Sequence, residues 1–450
     1  MKDLIPEVTQ TEYNVLGSII LDNQQFEVVS EVLSEHNFLS PSCRIVFKAM
    51  GGLDRQEVPI DETTLLNYLA RQSLMDKIGG SDFLMKLTSG GPIAVNAKHY
   101  AKQVRDYHNS RQVLTLTKNA AIMAEQHPDI DLFLDKLETD IEKIKSNVTP
   151  LVEYTQDDLF QIEFDTISDK MSGKKPDESV PTGLTDVDEV LSGGLLFSQL
   201  DILAGRPGMG KSSLALTIAR NVSKTLPVLF VSIEMEKQQL ARRLLSQHTQ
   251  VPETLIMNGT LTNEQLDGMV HMAPKMSRTN LFIDDVSRYH YEVKRSIRKH
   301  VKKHGVRFVI VDYLQRVKVK DSGKNRYSEI GDVIDDLAHM AKRLKINILC
   351  LAQLNRGVEA RPDKRPLLSD LSESGKIEEG ACRVFLMYRE KYYNQQLEGK
   401  DIVELNIGKN RYGRSGSVDL EFKGPCTSFH DVEQGGYLTP KSAPVTKKYF

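Results

Sequence analysis

The sequence predicts two architectures in one chain: an all-helical N-terminal region, followed by an α/β unit built on a largely parallel sheet. Three observations predict it. Apolar residues recur at helical spacing through roughly the first third of the chain. Short apolar runs alternating with helical stretches fill the remainder, the pattern of strands covered by crossover helices. One such run, at 200–204, leads straight into Gly205-Arg206-Pro207-Gly208-Met209-Gly210-Lys211-Ser212, a G-x-x-x-x-G-K-[ST] segment that opens a helix. At 450 residues the chain exceeds one comfortable core. The expected division is a helical N-terminal domain over 1–150, a linker over 151–180 and the α/β domain over 181–450.

In the first part, start signals stand where helices should begin. Thr9 and Glu12 have capping-box spacing, Ser40 precedes Pro41 at a first helical position, and Asp61 precedes a helical stretch at 62–70. Leu16 with Ile20, Ile45 with Ala49, and Leu65 with Leu69 then repeat at one turn. His36, His99 and His108 are isolated and read as surface or satisfied structural residues. No polar constellation with catalytic spacing stands out, so a docking or assembly role is expected. Across 155–171 a further helix puts Phe160, Phe164, Ile167 and Met171 on one face, and Ser172-Gly173-Lys174-Lys175-Pro176 ends it. That stripe must be covered by the chain's own domains or by a neighbouring copy, and the residues themselves leave both open.

Composition narrows the class. Hydrophobic residues make up 40% and charged residues 27%, with no apolar run of membrane-spanning length. The N-terminal residues lack the pattern of a secretory signal, and the four cysteines show no Cys-x-x-Cys spacing. A reducing cytoplasm is the expected location. The net charge of −2 gives no global attraction to nucleic acid, so a polyanion would have to be met by local basic loops.

Strands are expected at 200–204, 228–233, 281–283, 308–311, 346–352, 384–388, 403–407 and 418–422. Ligands of such sheets sit beyond the C-terminal strand ends, where the polar motifs fall. Gly205 through Ser213 are the expected nucleotide-binding segment: glycines let backbone amides converge on a polyphosphate, Lys211 reaches the β and γ phosphates, and the Ser212 hydroxyl can ligate magnesium. Asp312, closing an apolar run, fits the Walker B position that holds the Mg²⁺ shell. Glu234, at the end of the next strand after the P-loop helix, is placed to polarise the attacking water; Glu236 competes but reads better as a first-turn helix acid. Gln353 can sense the γ phosphate and pass the difference to Asn355-Arg356-Gly357, or it can be a polar strand cap.

Two loops are basic. Lys318 to Arg326, including Lys324, and Arg356 to Lys376, including Arg361, Lys364 and Arg365, can follow a phosphate backbone, although surface loops are often basic for no such reason. Few aromatics accompany them, so base stacking is not expected. The hairpin Lys409-Asn410-Arg411-Tyr412-Gly413-Arg414 carries charge either as edge protection or as an arginine finger, with Arg411 and Lys409 serving a neighbour's nucleotide. The basic stretch at 291–304 has Val293, Ile297 and Val301 on an inner face and reads as a sheet-covering helix with a solvated basic side.

Taken together, several segments resemble the DnaB-type replicative DNA helicases of bacteria and bacteriophages: Thr11-Glu12-Tyr13-Asn14-Val15-Leu16-Gly17-Ser18-Ile19 with Leu21-Asp22-Asn23, Pro181-Thr182-Gly183 ahead of the P-loop, Ser232-Ile233-Glu234-Met235, Asp312-Tyr313-Leu314-Gln315, Gln353-Leu354-Asn355-Arg356, Glu373-Ser374-Gly375-Lys376-Ile377-Glu378 and Lys409-Asn410-Arg411. The resemblance implies a RecA-like, ATP- and Mg²⁺-dependent motor in a homohexameric ring, moving 5′ to 3′ on single-stranded DNA. It implies Glu234 as catalytic acid, Gln353 as γ-phosphate sensor, Lys409 and Arg411 acting in trans, and Arg356, Glu373 and Gly375 on DNA-facing loops. It also implies a linker helix docked on the next subunit, an N-terminal collar that recruits primase, and help from a helicase loader. Ser372 stands where the family commonly has Arg, and Gly380-Ala381-Cys382 where it commonly has Asp-Ala-Asp, as in a diverged, phage-encoded member. A RecA-like filament protein and a non-translocating P-loop switch are the competing expectations.

Overall fold

The structure is a computed structural model that describes residues 5–89, 94–126, 129–148, 154–172, 178–276, 279–319, 325–371 and 374–432. The chain divides into two compact units, Met1–Asp157 and Asp158–Phe450.

The first unit is helical, as expected. Helices Ile5–Leu21, Pro41–Asp54, Glu62–Arg71 and Ser81–Ser89 enclose a core that includes Leu16, Ile19, Phe38, Met50, Leu65 and Leu69, and a helical hairpin, Ala97–Glu125 and Ile130–Val148, follows. Ser40 and Asp61 cap their helices, accepting from the amides of Cys43 at 3.4 Å and Thr64 at 2.8 Å. The Thr9–Glu12 cap does not form, because the first helix already runs from Ile5. Glu12 is instead fully buried and accepts from the backbone amides of Leu39 and Ser40, which open the helix Pro41–Asp54. Burial pushes its carboxyl pKa up while those amides, at a helix N-terminus, pull it back.

The second unit begins near the helix Gln156–Met171, none of whose residues is buried; Phe160, Phe164, Ile167 and Met171 are all exposed. A two-stranded pair follows, β1 (Ser179–Val180) with β2 (Leu195–Leu196). Among the described residues one nine-stranded sheet then forms from β3 (Leu200–Gly205), β4 (Val228–Ser232), β5 (Leu281–Asp284), β6 (Phe308–Asp312), β7 (Asn347–Gln353), β8 (Arg383–Arg389), β9 (Ile402–Asn410), β10 (Gly416–Lys423) and β11 (Ser428–Asp431). Its order is β11-β10-β9-β8-β3-β7-β6-β4-β5, parallel from β8 through β5 and antiparallel from β8 through β11.

The central strands are buried on both faces, which is why they read as unbroken apolar runs; all five residues of β6 are buried. Helix Lys211–Val222 covers one face, and helices His290–His304 and Arg326–Leu344 cover the other. In His290–His304, Val293 and Ile297 are buried and Val301 partly so, as the covering-helix reading expected. Lys294 is not on its solvated side: it is buried, with its ammonium 3.1 Å from Asp336 on the adjacent helix. All four cysteines are buried and unpaired. Among the described residues no helix is long and apolar enough to cross a membrane.

Candidate nucleotide-binding site

β3, β4, β6 and β7 run parallel and end at one edge of the sheet, so Gly205, Ser232, Asp312 and Gln353 mark a common rim. Above it lies a cleft of about 790 Å³ lined by Lys211, Ser212, Glu234, Asp312 and Gln353. Five positions scattered over more than a hundred residues of sequence thus converge, because each directly follows or ends a parallel strand or opens the helix after it.

The loop turns sharply at Gly208 and Gly210, where φ is +80° and +100°, a region in which a Cβ is strained. Tyr392 also blocks the first position, since a Cβ at Gly208 would come within 2.8 Å of its ring. Lys211 folds back over the loop, donating to the carbonyls of Gly205 at 2.8 Å and Arg206 at 3.1 Å. Burial pulls its pKa down to about 8; Asp312 and Glu234 oppose that shift and Arg206 adds to it.

Asp312 is only 1% exposed. Burial pushes its carboxyl up to about 6, the nearby Glu234 adds to the rise, and the Ser212 hydroxyl and Lys211 counter it. Its Oδ2 is buried without a hydrogen-bond partner. An acceptor left in that state is costly unless a cation completes it, so the Ser212–Asp312 pair fits a hard, oxygen-seeking divalent ion.

Glu234 lies on the turn after β4, half-exposed, with Oε1 3.7 Å from the Arg316 guanidinium. Glu236 is exposed at the N-cap of the helix Lys237–Thr249, one position before the first turn where the helix-acid reading put it, and its side chain makes no cap hydrogen bond. Gln353 is held by its backbone: Gln315 Oε1 accepts from its amide at 3.1 Å and Gln315 Nε2 donates to its carbonyl at 3.3 Å. Among the described residues the side-chain amide of Gln353, which lines the cleft, has no hydrogen-bond partner.

Two cationic cleft residues escaped sequence reasoning. Arg316 sits on the short turn Leu314–Arg316, and a cation four positions beyond a Walker B acid was a readable signal. Arg243 comes from the helix Lys237–Thr249, and nothing in its local pattern set it apart.

Other expected site residues lie elsewhere. Asn410 pairs with Arg383, and Arg383 with Asp201, so the hairpin of Lys409 and Arg411 stands at the start of the strands whose ends carry the cleft. From Asp201 to Gly205 that is about 13 Å along β3. Lys409 donates to the Glu378 carbonyl and Arg411 to that of Glu379, at 2.5 Å for the latter. Neither lines the cleft of its own chain.

Arg356 is exposed in the turn Arg356–Ala360. Gly375 opens the helix Ser374–Gly380 so close to Tyr327 that a Cβ there would lie 2.8 Å from the phenol oxygen. Arg326 differs from its expected place as a loop cation: its guanidinium donates to the carbonyls of Gln315 at 2.9 Å and Val317 at 2.8 Å and pairs with Glu329 at 2.9 Å, shaping the loop from within. Arg361, Lys364 and Arg365 are likewise engaged, with Asp370, the Tyr393 ring and Glu404. Lys324, Ser372 and Glu373 lie outside the described residues.

A P-loop, a Walker B acid and a strand-end glutamine on one rim of a parallel sheet with an antiparallel extension define a RecA-like nucleotide-binding domain behind a helical N-terminal domain. Comparison with known proteins agrees. Residues 179–431 match the DnaB-like helicase C terminal domain, and residues 5–106 match the DnaB-like helicase N terminal domain. The replicative DNA helicase DnaB of Haemophilus influenzae is 33% identical over 95% of this chain and 94% of its own. Replicative DNA helicase DnaC of Bacillus subtilis is 31% identical over 96% of each. Among solved structures, a DnaB-like replicative helicase, described with its interactions with primase, aligns with TM-score 0.71 and 27% identity over 94% of this chain and all of that one. A second solved structure, an isolated ATPase domain, aligns with TM-score 0.58 and 30% identity over 63% of this chain and all of its own. The chain belongs to the DnaB-like helicase family.

Proposed function

We propose that this helicase works at the replication fork as a homohexameric ring that couples ATP hydrolysis to 5′–3′ movement on single-stranded DNA and so separates the duplex. The observation that carries the reading is a divided site. One chain presents Lys211, Ser212, Glu234, Asp312 and Gln353 around a cleft, while its cationic hairpin stands at the opposite strand ends.

In this reading the P-loop amides and Lys211 bind the triphosphate, and Ser212 with Asp312 would hold Mg²⁺, which would supply neutralisation of phosphate charge. Glu234 orients and takes a proton from the attacking water, once drawn off Arg316. Gln353 senses whether the γ phosphate is present. Lys409 and Arg411 of the neighbouring subunit stabilise the charge that develops during transfer. Arg356, Gly375 and, beyond the described residues, Glu373 and Lys324 face the DNA backbone; Arg326 supports that surface by holding the loop after β6. The exposed stripe of helix Gln156–Met171 docks on the adjacent subunit. The helical N-terminal unit forms a collar that receives a primase, a loader places the ring on DNA, and the protein acts in the cytoplasm.

A forked duplex with either a 5′ or a 3′ single-stranded tail tests function and polarity together. Unwinding is expected only with the 5′ tail, and Lys211→Ala should abolish both ATP hydrolysis and unwinding. Strand separation that persists in a hydrolysis-dead Lys211→Ala protein would rule out the motor.

A further inference from the structure

The second residue of the P-loop points away from the cleft. Arg206 is 8% exposed and is absent from the cleft lining that begins at Pro207. Its Nη1 donates to the carbonyl of Leu354 at 2.8 Å, and its Nε and Nη2 lie 2.9 Å and 2.8 Å from Glu359 Oε1. Leu354 directly follows Gln353, and Glu359 lies in the same turn, Arg356–Ala360, that exposes Arg356. One side chain therefore joins the nucleotide loop, the strand end that reads the γ phosphate, and the turn that presents a cation to solvent.

The chemistry of the contact suits a mechanical link. A guanidinium is planar and always charged, and its fork fixes direction as well as distance in a way that a flexible ammonium does not. The rest of the segment is pinned at its far side, by Arg361 on Asp370 at 2.6 Å and Arg365 on Glu404 at 2.9 Å. Among the described residues Arg356 has no side-chain partner, so the segment is a pre-shaped body with one uncommitted cation and a handle on the P-loop. A shift of the P-loop backbone on nucleotide binding or loss would pull on Arg206, and through it on the turn that carries Arg356.

We propose that Arg206 and Glu359 are a positioning pair that couples the nucleotide cleft to the segment 355–371, so that DNA on the segment accelerates hydrolysis and hydrolysis moves the segment. The proposal rests on the reading of Arg356 as DNA-facing. Glu359 is not among the residues that line the cleft, which makes it the residue to change.

The test uses the full chain, with ATP hydrolysis measured with and without single-stranded oligothymidylate, and oligothymidylate binding measured separately. Glu359→Ala should keep DNA-free hydrolysis within about twofold of the parent and keep DNA affinity, while stimulation by DNA falls at least about fivefold. Glu359→Gln, which retains an acceptor of the same shape, should recover part of the stimulation. Full stimulation in Glu359→Ala overturns the coupling, and so does a proportional fall of DNA-free and DNA-stimulated rates, which would mean that the pair only shapes the P-loop. Arg356→Ala separates the underlying reading: undiminished DNA binding there removes the DNA-facing role, whereas lost binding together with a fully stimulated Glu359→Ala removes the coupling alone.

Discussion

Asp201 on β3 shows how much a single carboxylate can depend on remote partners. It is fully buried, Asn347 donates to it at 2.8 Å, and burial pushes its pKa up to about 6 despite that bond and the nearby Arg383. A raised carboxyl pKa means that the charged form is disfavoured in the fold. The cost is present in full above about pH 6 and disappears as the pH falls towards the ordinary value of 3.8. Compared with Asp201→Asn, the parent should therefore lose thermal stability as the pH rises through about 6, and the two melting temperatures should draw together near pH 4; a gap that ignores pH would show that charge is not the cause. At this scale the sequence made Lys211, Ser212, Glu234, Asp312 and Gln353 legible, since each stands at a strand end or helix start. Glu12 was misread and the link made by Arg206 went unseen. Their partners are 27 and 28 residues away in one case and 153 in the other, beyond any local spacing rule.

Among the elements, the helix Ser374–Gly380 is closely seated on its neighbour. A Cβ on Gly380 would meet Ile334 Cγ2 at 2.4 Å, so the unusual glycine allows this helix to lie directly on Arg326–Leu344. Its last turn also receives Lys409 and Arg411 on the carbonyls of Glu378 and Glu379, cations where a helix end is electronegative. Gly380→Ala should destabilise the domain by about 1–3 kcal/mol through overpacking, and Ile334→Leu, which moves the branch away, should recover part of it in the double variant. Denaturant midpoints measure both, and a neutral Gly380→Ala would show that the neighbouring helix simply yields. Every strand expected from an apolar run is present. The four-residue β11 and the two-residue β1 and β2 were not anticipated, because they are too short to establish a period of two. The start of the first helix was misplaced because Thr9, a good cap by composition, sits one turn inside it.

For the whole molecule, the order of a helical unit and an α/β unit was readable from the change of hydrophobic period. Assembly was not, because an exposed stripe on Gln156–Met171 says that a surface is needed without saying whose. The divided site sharpens the question. If Arg411 acts on a neighbour, Arg411→Ala and Glu234→Gln proteins, each inactive alone, should regain hydrolysis when mixed, with a maximum near equal proportions where about a quarter of interfaces join an intact cleft to an intact finger. Absence of rescue at every ratio, with mixed rings verified, would place the catalytic cation elsewhere.

The buried cysteines carry an experimental consequence. Burial pushes Cys43 up to about 12 and Cys382 to about 11 and raises Cys350 and Cys426 as well, so the folded chain offers almost no thiolate at neutral pH. A maleimide dye should leave the native protein dark. Phe160→Cys would then be a solitary fast-reacting handle on the exposed stripe, and the slowing of its labelling as subunits associate would time, second by second, the moment at which that helix finds its seat.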